Sequence, residues 1–212
     1  MEVVSGTIRS LAPEATVYDF CREATAAVSA FYHETPFVPD SSLMASSAVV
    51  YSIARHELWF VGDCQALVNG VLYEYAKPEE AVLANKRAAY LERLIADGLV
   101  SLEMCQTNDP GRDVIMKELR HSCTRQNMDY AVINGMPIPQ HLIHTLDVPE
   151  ASDVVLASDG YPFLCSSLEE SEAKLAEVME KDPLCIRMYK ATKGLRKGNK
   201  SFDDRAYLRI KV

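Results

Sequence analysis

Four apolar residues, Val154, Val155, Leu156 and Ala157, run without interruption into Ser158, Asp159 and Gly160. A short apolar run closed by turn residues reads as a buried strand. Such a strand delivers Asp159 to the edge of a sheet, where Gly160 allows the backbone to turn sharply. A second carboxylate pair, Asp203 and Asp204, stands just before another strand-like segment, residues 205–212. Hard divalent cations favour carboxylate oxygens on a rigid frame, so Asp159 and Asp203, from distant parts of the chain, can converge on one ion. Asp is equally a favoured turn former, and the same acids fit a plain turn role.

Composition narrows the class of partner. The chain has 212 residues, 48% of them hydrophobic, which is ample for a core and suits one large domain spanning 1–212. Twenty-two basic residues against 30 acidic ones leave a net charge of −8. A nucleic-acid binder, or a binder of anionic membranes, needs a basic surface, so neither partner is expected. The six cysteines, at 21, 64, 105, 123, 165 and 185, show no Cys-x-x-Cys pair and no zinc spacing. Several lie in apolar settings, as buried free thiols in a reducing compartment do. No basic segment followed by an apolar stretch opens the chain, and no apolar run approaches the ~18 residues of a membrane span. A cytoplasmic location is the expectation.

Periodicity places the elements. Residues 1–6, with Val3-Val4-Ser5-Gly6, read as the tail of a strand. Pro13 opens a helix to about residue 32, with Val17, Phe20, Cys21, Ala24, Val28 and Phe31 on one face. Residues 35–47 are a loop. Strands follow at 48–53 and 57–61, and Asn69-Gly70 divides 66–75 into a hairpin. Pro78-Glu79-Glu80 starts a second helix whose buried stripe is Ala84, Ala88, Leu91 and Ile95, and Gly98 stops it. Asn108-Asp109-Pro110-Gly111 is a turn, with a short helical or mixed segment after it at 114–123. Residues 130–133 and 138–146 read as strands. Ser167 and Glu170 form a capping box for a third helix, and a last helix is expected over 184–193. Lys193, Arg196, Lys197 and Lys200 make a basic loop, which fits a phosphate contact or a solvated surface. Runs of strands joined by hairpins, with helices in runs of their own, indicate an α+β layered fold with antiparallel sheets.

Three stretches read together resemble the metal-dependent type 2C protein phosphatases. Residues 57–66, Glu-Leu-Trp-Phe-Val-Gly-Asp-Cys-Gln-Ala, resemble that family's strand followed by Gly-Asp-Ser-Arg-Ala. Residues 155–160, Val-Leu-Ala-Ser-Asp-Gly, resemble its Leu-Ala-Ser-Asp-Gly motif, and Asp203-Asp204-Arg205-Ala206-Tyr207 resembles its closing strand. The order matches, over nearly the whole chain. The resemblance implies a four-layer αββα sandwich, two antiparallel sheets between helical layers. It also implies two Mg²⁺ or Mn²⁺ ions that activate water against a phosphoserine or phosphothreonine. Carried over residue by residue, Asp159 and Asp203 are metal carboxylates and Asp63 is the ligand of a weaker, peripheral metal.

The departures matter as much. Val3-Val4-Ser5-Gly6 aligns with the family strand whose aspartate bridges both metals, which puts Ser5 where that carboxylate belongs. The family's preceding strand, with its acid and phosphate-binding arginine, has no counterpart, and Gln65 replaces an arginine. A neutral hydroxyl cannot hold two dications as a carboxylate does. The metal site is therefore incomplete. The leading reading is a divergent phosphatase-like domain that is catalytically weak or inactive alone and acts through a phosphoprotein or regulatory protein partner, or through phosphate binding. An active Mg²⁺- or Mn²⁺-dependent phosphatase with a shortened start is the first alternative. The second is an N-terminal-nucleophile hydrolase-like sandwich, in which Ser5 would need processing to become the nucleophile.

Overall fold

The computed structural model describes residues 2–34 and 45–212. The chain divides into two compact units. The first comprises Met1–Lys77, Cys123–Ser158 and Leu208–Val212, and the second comprises Pro78–Ser122 and Asp159–Tyr207. The architecture is α+β, two antiparallel sheets with flanking helices. No helix among the described residues is long and apolar enough to cross a membrane.

Both sheets belong to the first unit. Strands β1 (Ala48–Ser52), β2 (Glu57–Val61) and β5 (His144–Asp147) form one, in the order β1-β2-β5. Strands β3 (Gln65–Val68), β4 (Val71–Glu74), β6 (Asp153–Ala157) and β7 (Tyr207–Lys211) form the other, in the order β4-β3-β6-β7. Alternation along β2 explains the layering. Trp59 and Val61 face helix α2 (Val17–Glu34), where they pack with Val17, Phe20, Cys21 and Ala24. Leu58 and Phe60 face the other way and join Ala66, Val68, Val154 and Leu156 between the sheets. Pairing of Val50 with Trp59 and of Leu67 with Val155 keeps each side chain on its face, and a one-residue slip would invert both. The β3–β4 hairpin turns on Asn69 and Gly70, both with positive φ (51° and 82°), as a primed two-residue turn needs.

Helix α2 begins at Val17 rather than at Pro13. Thr16 and Asp19 cap each other, with the Asp19 N–H donating to Thr16 Oγ1 and the Thr16 N–H donating to Asp19 Oδ2. The Thr16 hydroxyl, donating to Asp19 Oδ2 at 2.7 Å, and then the Thr16 N–H hold the Asp19 carboxyl down at about 2.

Three expectations for this unit are corrected. The chain start is helix α1 (Glu2–Ser10), not the tail of a strand: Val4 and Thr7, three apart, are its buried positions, and Ser5 is exposed. Ser5 therefore does not occupy a strand-end carboxylate position. Residues 131–133 are buried and Tyr130 is half-buried, but none of the four joins a named strand. The Asn127 side chain accepts the Val132 N–H at 2.9 Å, taking a bond a strand partner would take, and one bridge to Ser46 remains at Ile133. Within 138–146 a 3₁₀ turn, Gln140–Leu142, precedes the short strand β5. Of the loop expected over 35–47, residues 35–44 lie outside the described residues.

The second unit is helical and holds an irregular chain in place with buried charge. Helix α3 (Glu80–Ala96) ends where Gly98 takes φ +68°, and Ala84, Ala88 and Leu91 are buried as their spacing requires. Helix α4 (Leu102–Thr107) starts at Ser101, whose side chain accepts the Met104 N–H. Residues 108–111 are not a free turn but the start of helix α5 (Pro110–Cys123). Asp109 caps it, Oδ1 accepting the Arg112 N–H at 2.9 Å, and Pro110 occupies the first position, where no N–H is needed. A Cβ on Gly111 would lie 2.6 Å from Leu91 Cγ, so only glycine allows this close approach of α5 to α3. Helix α6 (Leu168–Lys181) carries the expected cap, with the Glu170 N–H donating to Ser167 Oγ at 3.2 Å.

The helix expected over 184–193 does not form. The Asp182 carboxylate accepts backbone N–H groups from Ile186, Arg187 and Met188 at 2.7–3.1 Å, which competes with helical bonding there. Arg87, wholly buried, donates to the carbonyls of Leu184 and Ala191 at 2.9 Å, and its other nitrogens hold Asp109 Oδ2 at 2.6 and 2.9 Å. One guanidinium thus fixes three segments of the unit. Burial pushes the thiols of Cys185 and, in the first unit, Cys21 up to about 12, which leaves both protonated and inert at neutral pH. All six cysteines are free.

Candidate functional site

Asp63 sits in the turn between β2 and β3. Gly62 takes φ +92°, and a Cβ there would fall 2.3 Å from Ser47 Oγ. The missing side chain lets Ser47 close on the turn, where its hydroxyl donates to Asp63 Oδ1 at 2.5 Å. Lys77, just past β4, forms an ion pair with Oδ2. The Lys77 ammonium also lies 5.8 Å from the centroid of the Tyr130 ring. The Asp63 side chain is only 9% exposed. Burial alone would raise its carboxyl, but the Lys77 charge and the bonds from Lys77 and Ser47 outweigh burial and hold it below the usual carboxylate range.

Gln65 follows at the first position of β3. It pairs with Ala157, the last residue of β6, and its side-chain amide donates to the Ser158 carbonyl at 3.4 Å. The Gly62-Asp63 turn therefore enters its sheet at the edge where β6 leaves it. The glutamine amide is an uncharged tether to the backbone.

In the second unit, Asp159 follows β6 and Asp203 lies four residues before β7. The turns that carry them meet at Gly160, where a Cβ would stand 2.2 Å from the Asp204 carbonyl oxygen. Asp159 is half-buried. The Asp203 carboxylate is claimed by Lys193, whose ammonium donates to Oδ1 at 2.5 Å, and the Asp204 N–H shares that oxygen at 3.1 Å. Beside this turn, Arg205 grips Glu172 through two hydrogen bonds of 2.6 and 2.7 Å, and Glu172 also accepts the Tyr161 hydroxyl at 2.7 Å.

These donor sets do not fit a two-metal centre. Bridged dications need several anionic oxygens turned toward one point. Here two of the three candidate acids, Asp63 and Asp203, each face a lysine ammonium of the same chain. Among the described residues, no group of three or more His, Cys, Asp or Glu side chains is gathered as a metal site. Two of the histidines have other company: His144 stacks on Tyr75 at 3.8 Å between ring centroids, and His56 meets the Tyr51 hydroxyl at 3.3 Å.

The acids themselves were visible in the sequence, but their lysine partners were not. Lys193 belongs to the basic loop noted there, yet nothing local assigns it to Asp203. Lys77 and Ser47 reach Asp63 from 14 and 16 positions away, and only the paired strands bring them together.

No known protein family matches the sequence, and no curated protein does. Among solved structures the chain is similar to the Mycobacterium tuberculosis serine/threonine phosphatase PstP/Ppp, at 14% identity and a TM-score of 0.46, over 98% of this chain and 79% of that one. It is also similar to the catalytic domain of the serine/threonine protein phosphatase PstP in complex with two manganese ions, at 14% identity and a TM-score of 0.41 over 84% of this chain. A third is the PPM Ser-Thr phosphatase MsPP from Mycobacterium smegmatis in complex with cacodylate, at 14% identity and a TM-score of 0.35 over 85% of this chain. The chain spans 66% of the length of each of the last two. At that level of likeness, the case for function rests on the side chains of this chain.

Proposed function

We propose that this chain is a phosphatase-2C-like domain that does not turn over phosphoesters by itself and acts by binding a phosphoprotein or regulatory protein partner. The observation that carries this reading is the lysine at each of two candidate metal carboxylates, Lys77 at Asp63 and Lys193 at Asp203. An ammonium neutralises one carboxylate and donates hydrogen bonds. It offers no open coordination position, and it cannot bring a bound water to a pKa of about 7 as a catalytic metal does. The ordered motifs explain why the chain retains these acids on strand ends. The paired lysines give each of the two partly buried carboxylates, Asp63 and Asp203, a counter-charge within the fold.

The test is turnover of a generic phosphomonoester, such as p-nitrophenyl phosphate, by the full chain with millimolar Mn²⁺. No release above the uncatalysed background is expected. Turnover at an ordinary enzyme rate, abolished by Asp159→Asn, would overturn this reading in favour of an active metal-dependent phosphatase.

A further inference from the structure

We propose that the second unit carries a binding pocket for a phosphomonoester, built by Arg112, Lys193, Arg196 and Asn199. This deepens the reading above, which rests on a phosphoprotein or regulatory partner, by giving the phosphate a site away from Asp63. All four residues line one cavity of about 190 Å³, with Leu184 and Phe202 among its apolar walls. At about 30 Å³ per water, that space equals roughly six waters, enough for a phosphoryl group on a short stem.

The cavity is built rather than incidental. Arg112 stands three residues after the Asp109 cap of α5, and its Nη1 is fixed by a hydrogen bond of 2.9 Å to the Thr192 carbonyl. The basic loop is pinned at two points, the Leu195 N–H donating to the Pro183 carbonyl at 2.7 Å and the Lys197 N–H to the Gln106 carbonyl at 3.0 Å. Just before them a Cβ on Gly194 would stand 2.7 Å from the Leu184 carbonyl oxygen, so glycine lets the loop lie directly against the cavity wall. The Asn199 N–H donates to the Arg196 carbonyl at 3.0 Å and closes the loop on itself. Arg196 is exposed and forms no ion pair among the described residues.

Charge decides the ligand class. Asp109, also in the cavity wall, is held by buried Arg87, and Lys193 holds Asp203. Counting Arg87, Arg112, Lys193 and Arg196 against Asp109 and Asp203 leaves a local charge of +2 on a chain whose net charge is −8. A phosphomonoester carries about −1.5 to −2 at neutral pH, which matches that excess. A single carboxylate would leave part of it uncompensated. Two guanidinium forks and a carboxamide supply directional donors for phosphoryl oxygens, and Leu184 and Phe202 offer an apolar wall to the stem. A phosphorylated side chain and a small phosphorylated metabolite share this chemistry.

The experiment is titration of the full chain, in metal-free buffer with chelator, with three probes: a phosphoserine peptide, glycerol 3-phosphate and inorganic phosphate. Unphosphorylated peptide and glycerol are the blanks. Saturable binding in the millimolar range or tighter is expected for at least one phosphomonoester, and preference for the peptide or for glycerol 3-phosphate identifies the source of the phosphate. Arg196→Glu, on the surface, should weaken binding by about tenfold or more while the melting temperature holds. Lys197→Glu should bind as the wild type does, because Lys197 is paired with Glu103 and does not line the cavity. No saturable binding of any probe, or equal weakening by the two variants, overturns the pocket. Without divalent metal the result is independent of turnover, so failure here leaves the non-catalytic reading intact. Mn²⁺-dependent hydrolysis insensitive to Arg196→Glu would sink that reading and leave the pocket standing.

Discussion

The two units solve the same packing problem with different materials. In the first, strand alternation sorts apolar side chains to two faces, and its core is made of groups such as Phe20, Leu58, Phe60 and Val154. In the second, Arg87 and Asp182 are among the most buried side chains, and they hold backbone that is neither helix nor strand. Apolar packing is tolerant and graded, since the loss scales with the volume removed. A buried charge network is all-or-none, because deleting one member strands the others without solvent.

The largest effect is expected from Arg87→Met. It leaves Asp109 Oδ2 and the Leu184 and Ala191 carbonyls without the Arg87 donors, at a cost of about 3–5 kcal/mol. Urea denaturation should show the loss, and adding Asp109→Asn should recover part of it by removing the stranded charge. Additive losses in the double variant would show that the network is not the source. Phe20→Ala tests the first unit. Phe20 is fully buried and stacks on Trp59 with centroids 6.3 Å apart, so about 3 kcal/mol should be lost, with no second-site charge change restoring it. A loss under about 1 kcal/mol would mean that the α2 face collapses to fill the space.

A smaller and pH-dependent effect is expected at the one buried ion pair of the first unit's candidate site. Asp63 has a depressed folded pKa, so its contribution is fully present above its unfolded value of 3.8 and is lost as pH falls through the lower folded value. Lys77→Met strands the buried carboxylate and should cost about 1–3 kcal/mol at pH 7. The gap between variant and wild type should narrow as the pH falls below the carboxylate range, where Asp63 is protonated in both. A gap that stays constant from pH 7 to acid would assign the loss to the lysine stem rather than to its charge.

The same contrast explains what the sequence revealed. Strand β2 and the Asn69-Gly70 hairpin were legible because alternation and turn chemistry are local signals, as was the Ser167 cap of α6. The start of the chain to residue 6 misled because Val3-Val4 suits a strand and only the Val4 and Thr7 spacing favours a helix face. Residues 184–193 misled because nothing local shows that Asp182 will take their N–H groups or Arg87 their carbonyls. Asn108-Asp109-Pro110-Gly111 carried a true helix start beneath a turn signature, since cap and turn use the same residues. In the candidate site, pattern marked Asp159 and Asp203 and the family resemblance added Asp63, whereas the lysines that neutralise two of the three come from tertiary pairing, which leaves no local trace.

Whether those lysines stand where metals would is decided by titrating Mn²⁺ into the full chain and reading the free ion by electron paramagnetic resonance. With Lys77 and Lys193 already holding Asp63 and Asp203, the free-ion signal should rise in proportion to added Mn²⁺, in the wild type and in Asp159→Asn alike. Stoichiometric loss of that signal in the wild type, restored by Asp159→Asn, would show that the acids hold metal in spite of their lysines.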